Sequence, residues 1–217
     1  MSHTPAPNRR DVRKAQTRQR ISDVATQLFA RHGFDQVTVG QIAEAADVSK
    51  VTVFNHFPRK EDMLLDRAPE AEQLITDAIA HRAENQTPLA SLRDALVARA
   101  RTGQPLGGFA DRFIPFWRLI VGSPALRDRG RELYQDLEGV LASSLAEATG
   151  EPEPHSGARL TAALALAAYR TAFLATVSRM LAGAPADSVI DDHIAMVERY
   201  FDAVERAVEG AAAPADK

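Results

Sequence analysis

The chain has no cysteine. Disulfides, thiolate zinc sites and a cysteine nucleophile are thereby excluded, and the composition suits a reducing cytoplasm. Aromatic residues are scarce, one Trp, three Tyr and nine Phe making 6% of 217 residues, so any place where rings gather is informative. Long apolar runs are missing as well. The longest, Leu160 to Tyr169, falls short of the ~18 residues that span a bilayer, and no secretory pattern opens the chain. Catalytic signatures are absent: there is no Gly-x-Ser-x-Gly, no Gly-rich phosphate loop ending in Lys-Ser/Thr and no His-Glu-x-x-His. The local group Asp191-Asp192-His193 occupies adjacent helix positions, which point in different directions, and reads as a helix-start charge pattern. No catalytic residue, metal ligand or cofactor is expected.

What is present is apolar content of 45%, enough for a packed core. Charge is distributed unevenly. Residues 1–60 carry ten Lys and Arg against five Asp and Glu, a net +5, and the remaining residues carry sixteen against 24, a net −8. A basic part on an acidic body is what local attraction to a polyanion requires, because phosphate contacts act within a Debye length of ~8 to 10 Å.

The basic part contains the most structured stretch, TVGQIAEAADVSKVTVFNHFPRK from Thr38 to Lys60. Thr38 with Gln41 predicts a capping box, and Ile42, Ala43 and Ala46 follow at helical spacing. Asp47 and Val48 interrupt, and a second helix begins at Ser49 with Val53 and Phe57 on its buried side. Its other face, Lys50, Val51, Thr52, Phe54, Asn55 and His56, suits a helix placed in a major groove better than a plain solvated surface. Upstream, a helix is expected over Val12–His32 with Ile21, Val24, Ala25, Leu28 and Phe29 as its core stripe and Gly33 as its stop. Met1–Asn8 reads as disordered, and Arg9, Arg10, Arg13 and Lys14 as a basic arm that is either a solvated tail or a DNA contact.

At these residues the chain resembles the TetR family of bacterial transcriptional regulators. The resemblance rests on Thr38, Ile42-Ala43-x-x-Ala46, Val48-Ser49, Thr52-Val53-Phe54-Asn55-His56-Phe57 and Lys60, with the upstream Thr17–Val39 matching the family's first helix. Two positions depart from the family: Asp47 stands where Gly is common in the turn, and Phe54 replaces Tyr, losing a hydroxyl. The resemblance implies an all-α chain with a three-helix DNA-binding domain over 1–60, a helical effector-binding and dimerisation domain over 61–210 and a disordered tail over 211–217. It further implies a cytoplasmic, homodimeric repressor that binds a palindromic double-stranded operator and releases it on binding an apolar or amphipathic small molecule, without membrane attachment. Lys50 and Val51, with Phe54 as an apolar contact, are then expected at bases, and Thr38, Thr52, Asn55, His56 and Lys60 at phosphates. Other classes consistent with the residues are an architectural DNA-binding protein without effector and an enzyme with a DNA-localising module.

Beyond Lys60 the pattern is helical throughout, with no strand-like alternation. A helix starting near Glu61 should carry Pro69 inside it and kink near Leu65. Further helices are expected at Pro88–Arg101, Phe109–Val121, Ala125–Thr149, Ser156–Ala182 and Ser188–Glu209, separated by Gly- and Pro-rich turns. The last two combine an Ala-rich seam with the stripe Ile190, Ile194, Val197, Phe201 and Val204, read as the dimer interface that the resemblance implies. Phe109, Phe113, Phe116 and Trp117, with Tyr134, Tyr169 and Phe173, are either plain core or the rings that the resemblance places around an effector, and Arg118, Arg170 and Arg179 are either surface or salt-bridge residues or partners for its polar end.

Overall fold

A computed structural model describes residues 8–104 and 106–212, with side chains as far as Glu209. Of the expected disordered segments Met1–Asn8 and 211–217, residues 1–7 and 213–217 lie outside the described ones, whereas Asn8 caps the first helix and the last helix runs to Ala212. The chain is all-α and divides into two compact units. The first runs to Asp66 and takes in Leu119–Arg129; the second comprises Arg67–Arg118 and residues from Gly130 on. The division therefore falls six residues beyond the expected Lys60 and borrows a distant segment. Hydrogen bonds explain both features. Ser22 Oγ lies 3.0 Å from the Met63 carbonyl and 2.7 Å from Asp66, Ser123 Oγ donates to Asp35 at 3.0 Å, and Arg129 pairs with Asp62 at 2.7 Å, both partly buried.

In the first unit, α1 spans Arg9–His32. Asn8 caps it by accepting from the Arg10 amide, so Arg9, Arg10, Arg13 and Lys14 form its opening turns rather than a tail. Gly33, at φ 82°, stops it. Ile21, Ala25 and Phe29 are fully buried, whereas Val24 and Leu28 are only partly so. The helix α2, Val39–Ala45, begins with the Thr38–Gln41 capping box and packs against both α1 and α3. Asp47 takes φ 51°, the left-handed conformation that the turn needs and that Asp tolerates. Ser49 then caps α3, Lys50–His56, accepting from the Thr52 amide at 3.0 Å.

The expected kinked helix from Glu61 is not formed. Glu61–Met63 is a single 3-10 turn, and α4 begins only at Ala68, spanning Ala68–Ala80 with Pro69 in its first turn. There the missing N–H is one no helix uses, so the proline starts a helix instead of bending one.

The second unit continues with α5 (Pro88–Thr102), α6 (Ile114–Gly122), α7 (Pro124–Ala148), α8 (Ser156–Leu181) and α9 (Ile190–Ala212). The chain leaves this unit within α6 after Arg118 and returns within α7 after Arg129. The expected Phe109–Val121 helix splits into a 3-10 turn, Asp111–Phe113, and α6, whose second residue is Pro115. Alanines 158, 162, 165 and 172 of α8 are buried and let α9 lie close along it. By length and composition α8 could cross a bilayer. The ten-residue run in the sequence missed this because Arg170 and Thr171 end it; the buried alanines, Leu166 and Val177 give α8 its apolar character as a core helix.

The stripe on α9 is covered within the chain. Ile194, Val197, Phe201 and Val204 are at most 8% exposed and belong to one cluster with Leu92, Leu96 and Ala165 of the same chain. Within a single chain α9 already has α5 and α8 as partners. Among the described residues of the second unit, the large apolar side chains left exposed are on α8, Leu160 at 49% and Leu174 at 51%.

Candidate nucleic-acid interface and effector site

Two anchors hold α3: Val53 and Phe57 are fully buried, and the Arg18 side chain of α1 donates to the His56 carbonyl while its guanidinium stacks 4.0 Å from the Phe57 ring centre. Arg18 was not picked out in the sequence, where it is one basic residue among ten; only the register of α1 against α3 distinguishes it. With one side fixed, the other presents Val51 at 69% and Phe54 at 51% exposure, with Lys50 and Asn55 also exposed. Two exposed bulky apolar side chains on a seven-residue helix are unusual for a solvated surface.

The polar residues around this face fall into distinct roles. Lys50 folds across α2, its Cε and Nζ at 2.9 and 3.2 Å from where a Cβ on Gly40 would stand, near Thr38. Thr52 is partly buried and shares a hydrogen bond with Ser49 at 2.8 Å. His56 is held below its ordinary pKa by burial and by the charges of Lys14 and Arg18, so at neutral pH it offers an uncharged N–H. The same charges place the basic start of α1 beside the C-terminal end of α3.

Lys60 differs from its expected role. Its ammonium donates to the Phe34 and Val37 carbonyls at 2.9 and 3.1 Å and sits 4.1 Å from the Phe34 ring centre, locking the connection between α1 and α2. No long helix begins beside it to gather phosphate. Lys60→Ala should therefore lower stability by about 1 to 3 kcal/mol, as for lost charge-assisted hydrogen bonds. It should leave the slope of DNA affinity against salt unchanged once the protein is folded; a slope reduced by ~1 would restore the phosphate role.

In the second unit the structure brings five of the eight expected effector residues together. Phe173 stands at 5.4 Å from Phe109, 5.1 Å from Trp117 and 5.9 Å from Tyr169, and Trp117 at 4.7 Å from Phe116. Phe109 is 2% exposed and packs with Val177, Met180 and Val189. Phe113 lies under the Arg112 guanidinium at 4.7 Å, and Tyr134 belongs to the larger core with Arg170 5.9 Å from its ring centre. Burial pushes the Tyr134 hydroxyl up to about 12 and raises that of Tyr169 further, so both are neutral donors. Arg179 pairs with Asp192 at 2.7 Å, which takes one carboxylate out of the Asp191-Asp192-His193 group.

The sequence did not reveal His193 as part of this cluster. It is 1% exposed, sits edge-on 4.5 Å from Phe109 and bonds Thr176 Oγ1 through Nδ1 at 3.0 Å; burial lowers its pKa to about 4. Its neighbours Asp191 and Asp192 are exposed, and that context hid it. Separately, an open groove of about 600 Å³ runs along α4 and α5, with Leu74, Ala78 and Ala95 at its apolar floor and Asp77, His81 and Arg99 among its polar walls. None of the eight expected effector residues lines it.

Residues 21–66 match the family model for bacterial regulatory proteins of the tetR family. Over 150 residues the chain is 31% identical to MftR of Mycobacterium tuberculosis, a candidate mycofactocin biosynthesis transcriptional regulator, covering 67% of this chain and 72% of that one. It is 29% identical to TcmR, an HTH-type transcriptional regulator of Streptomyces glaucescens, over 66% of this chain and 65% of the relative. Among solved structures, NalD, the secondary repressor of the MexAB-OprM multidrug efflux pump in Pseudomonas aeruginosa, superposes with a TM-score of 0.55 at 20% identity, covering 86% of this chain and 97% of NalD.

Proposed function

Since the chain belongs to the tetR family of bacterial regulatory proteins, we propose that it is a cytoplasmic, dimeric, effector-released repressor that reads a palindromic operator with α3. The observation that carries this is the outward face of α3, where Val51 and Phe54 are exposed although the helix is anchored from behind by Val53, Phe57 and Arg18. In a major groove Val51 and Phe54 meet thymine methyl groups; unlike the expectation from the sequence, Lys50, folded over Gly40 near Thr38, joins Thr38, Thr52 and His56 at phosphates, and Asn55, exposed one turn on from Val51, takes a base edge. The repressor sense is taken from NalD, which shares the fold.

The dimer rests on α8 rather than on the α9 stripe. Leu160 and Leu174 are exposed on it, and Ala167, Thr171 and Ala175 keep the intervening surface small, which suits close approach of a second copy. The effector occupies the aromatic cluster that includes Trp117. Since α6 carries Trp117 and continues into Leu119–Gly122 of the DNA-binding unit, a ligand that shifts α6 pulls on the Ser123–Asp35 and Arg129–Asp62 bonds. A coupling of ~1 to 3 kcal/mol would change operator affinity roughly 5- to 150-fold.

The test is fluorescence anisotropy with the palindrome upstream of the protein's own gene against scrambled DNA, over a range of salt. Asn55→Ala and Val51→Ala should each weaken operator binding by about 1 to 3 kcal/mol and leave scrambled DNA much less affected. Equal losses on both DNAs would favour an architectural protein that binds without reading sequence.

A further inference from the structure

Trp117 Nε1 is buried and has no hydrogen-bond partner among the described residues. An indole N–H can only donate, so closing it off from water without an acceptor is costly, and native proteins seldom do so. Its surroundings are apolar: Phe116 and Phe173 stand edge-on to the indole, with Phe109, Val177, Met180 and Val189 behind them. Of the polar side chains that reach these rings, His193 and Thr176 bond each other. Tyr169, 5.9 Å from Phe173, brings a second hydroxyl to the cluster, kept neutral by burial and within reach of the Arg99 charge; the Trp117 N–H is the donor left without an acceptor among the described residues.

We propose that Trp117 Nε1 is the selecting hydrogen-bond donor of the effector site, and that its ligand is a neutral aromatic molecule carrying an unprotonated oxygen acceptor such as a ketone, ester or ether. Neutrality follows from the apolar side chains packed about the indole, Phe116 and Phe173 with Val177, Met180 and Val189, among which an ion would be desolvated uncompensated. Aromaticity follows from the ring edges and faces available for offset and edge-on packing. This assignment rests on the effector reading above and adds to it the chemistry that the site discriminates.

Trp117 is the only tryptophan, so replacing tryptophan throughout by its isostere β-(3-benzothienyl)alanine removes this one N–H and keeps the ring shape. Benzophenone and diphenylmethane, which differ by the carbonyl oxygen, serve as probes in equilibrium dialysis. The ordinary protein should bind benzophenone roughly 3- to 10-fold more tightly, and the substituted protein should bind both alike. In the ordinary protein the indole N–H proton resonance should move downfield with benzophenone and not with diphenylmethane, a measurement that also carries the test if the substituted chain does not fold. A preference for benzophenone that survives the substitution overturns the proposal. So does an indole resonance already shifted upfield by a ring face and unmoved by saturating benzophenone, which would mark an N–H···π contact as its partner. Binding of neither probe overturns it as well. Operator release, read in the same titration, separates the two inferences: benzophenone that binds at Trp117 without releasing operator sinks the effector reading and leaves the donor assignment standing.

Discussion

Replacing Phe201 by alanine should destabilise the second unit by about 3 to 5 kcal/mol, as for a fully buried Phe that leaves a cavity. The ring has no exposed surface, and it lies where α9 meets both α5 and α8. Its flanks leave little room to collapse: Arg93 of α5 pairs with Asp202 at 2.9 Å, and Thr87 bonds Glu205. Phe201→Asp should not fold, because a carboxylate there would be desolvated without a partner. Leu174→Glu should behave oppositely. At 51% exposure its side chain contributes little to the single chain, so unfolding of the isolated protomer should change by no more than about 0.5 kcal/mol. Sedimentation should nevertheless shift toward monomer, and operator affinity should fall with it. Urea unfolding followed at Trp117, beside sedimentation velocity, measures both. A Phe201→Asp chain that melts like the wild type but sediments as a monomer would return the interface to α9.

The second large effect is a loss of stability in mild acid through His193. Its pKa is lowered to about 4 by burial, against 6.5 in an exposed chain. The folded state therefore holds it neutral while the unfolded state takes up a proton as pH falls below 6.5. Between those limits unfolding binds a proton, so stability rises with pH: the contribution is complete above pH 6.5 and lost as pH falls toward 4. Its full size is about 3 kcal/mol, of which about 2 kcal/mol should be lost between pH 7.5 and pH 5. His193→Gln removes the titrating group, keeps a polar end for Thr176 and should flatten that part of the profile while lowering stability at pH 7.5. An unaltered slope between pH 7.5 and 5 in the variant would assign the acid sensitivity to other groups. His56, whose pKa burial and the charges of Lys14 and Arg18 also lower, adds acid sensitivity of the same sign in the first unit, and the His193→Gln variant leaves that part in place.

Legibility differed sharply between elements. The caps were readable because a cap is a local event: Thr38 with Gln41, Ser49 before Lys50 and the left-handed Asp47 each involve residues within a few positions of one another. The buried side of α3 was readable for the same reason, Val53 and Phe57 being one turn apart. Pro69 was misread because its effect depends on where the helix starts, which Met63 and Asp66 decide by bonding Ser22 some forty residues earlier. An apolar stripe states that a face is buried and not what covers it. The α9 stripe is covered by α5 and α8 of the same chain, a cover that the periodicity alone does not name.

The sequence by itself determined that the chain is helical, where the helix-turn-helix lies and which side of α3 is free to face DNA, since these follow from periodicity, capping and charge within single elements. The tertiary structure alone decided what each long-range group is for. It turned Lys60 from an anion anchor into a brace on the Phe34 and Val37 carbonyls, gave His193 a buried partner in Thr176, and left the Trp117 N–H without one among the described residues. A charge or donor acquires its role from the groups that desolvate it and bond it, and for these residues most of those groups are distant in sequence.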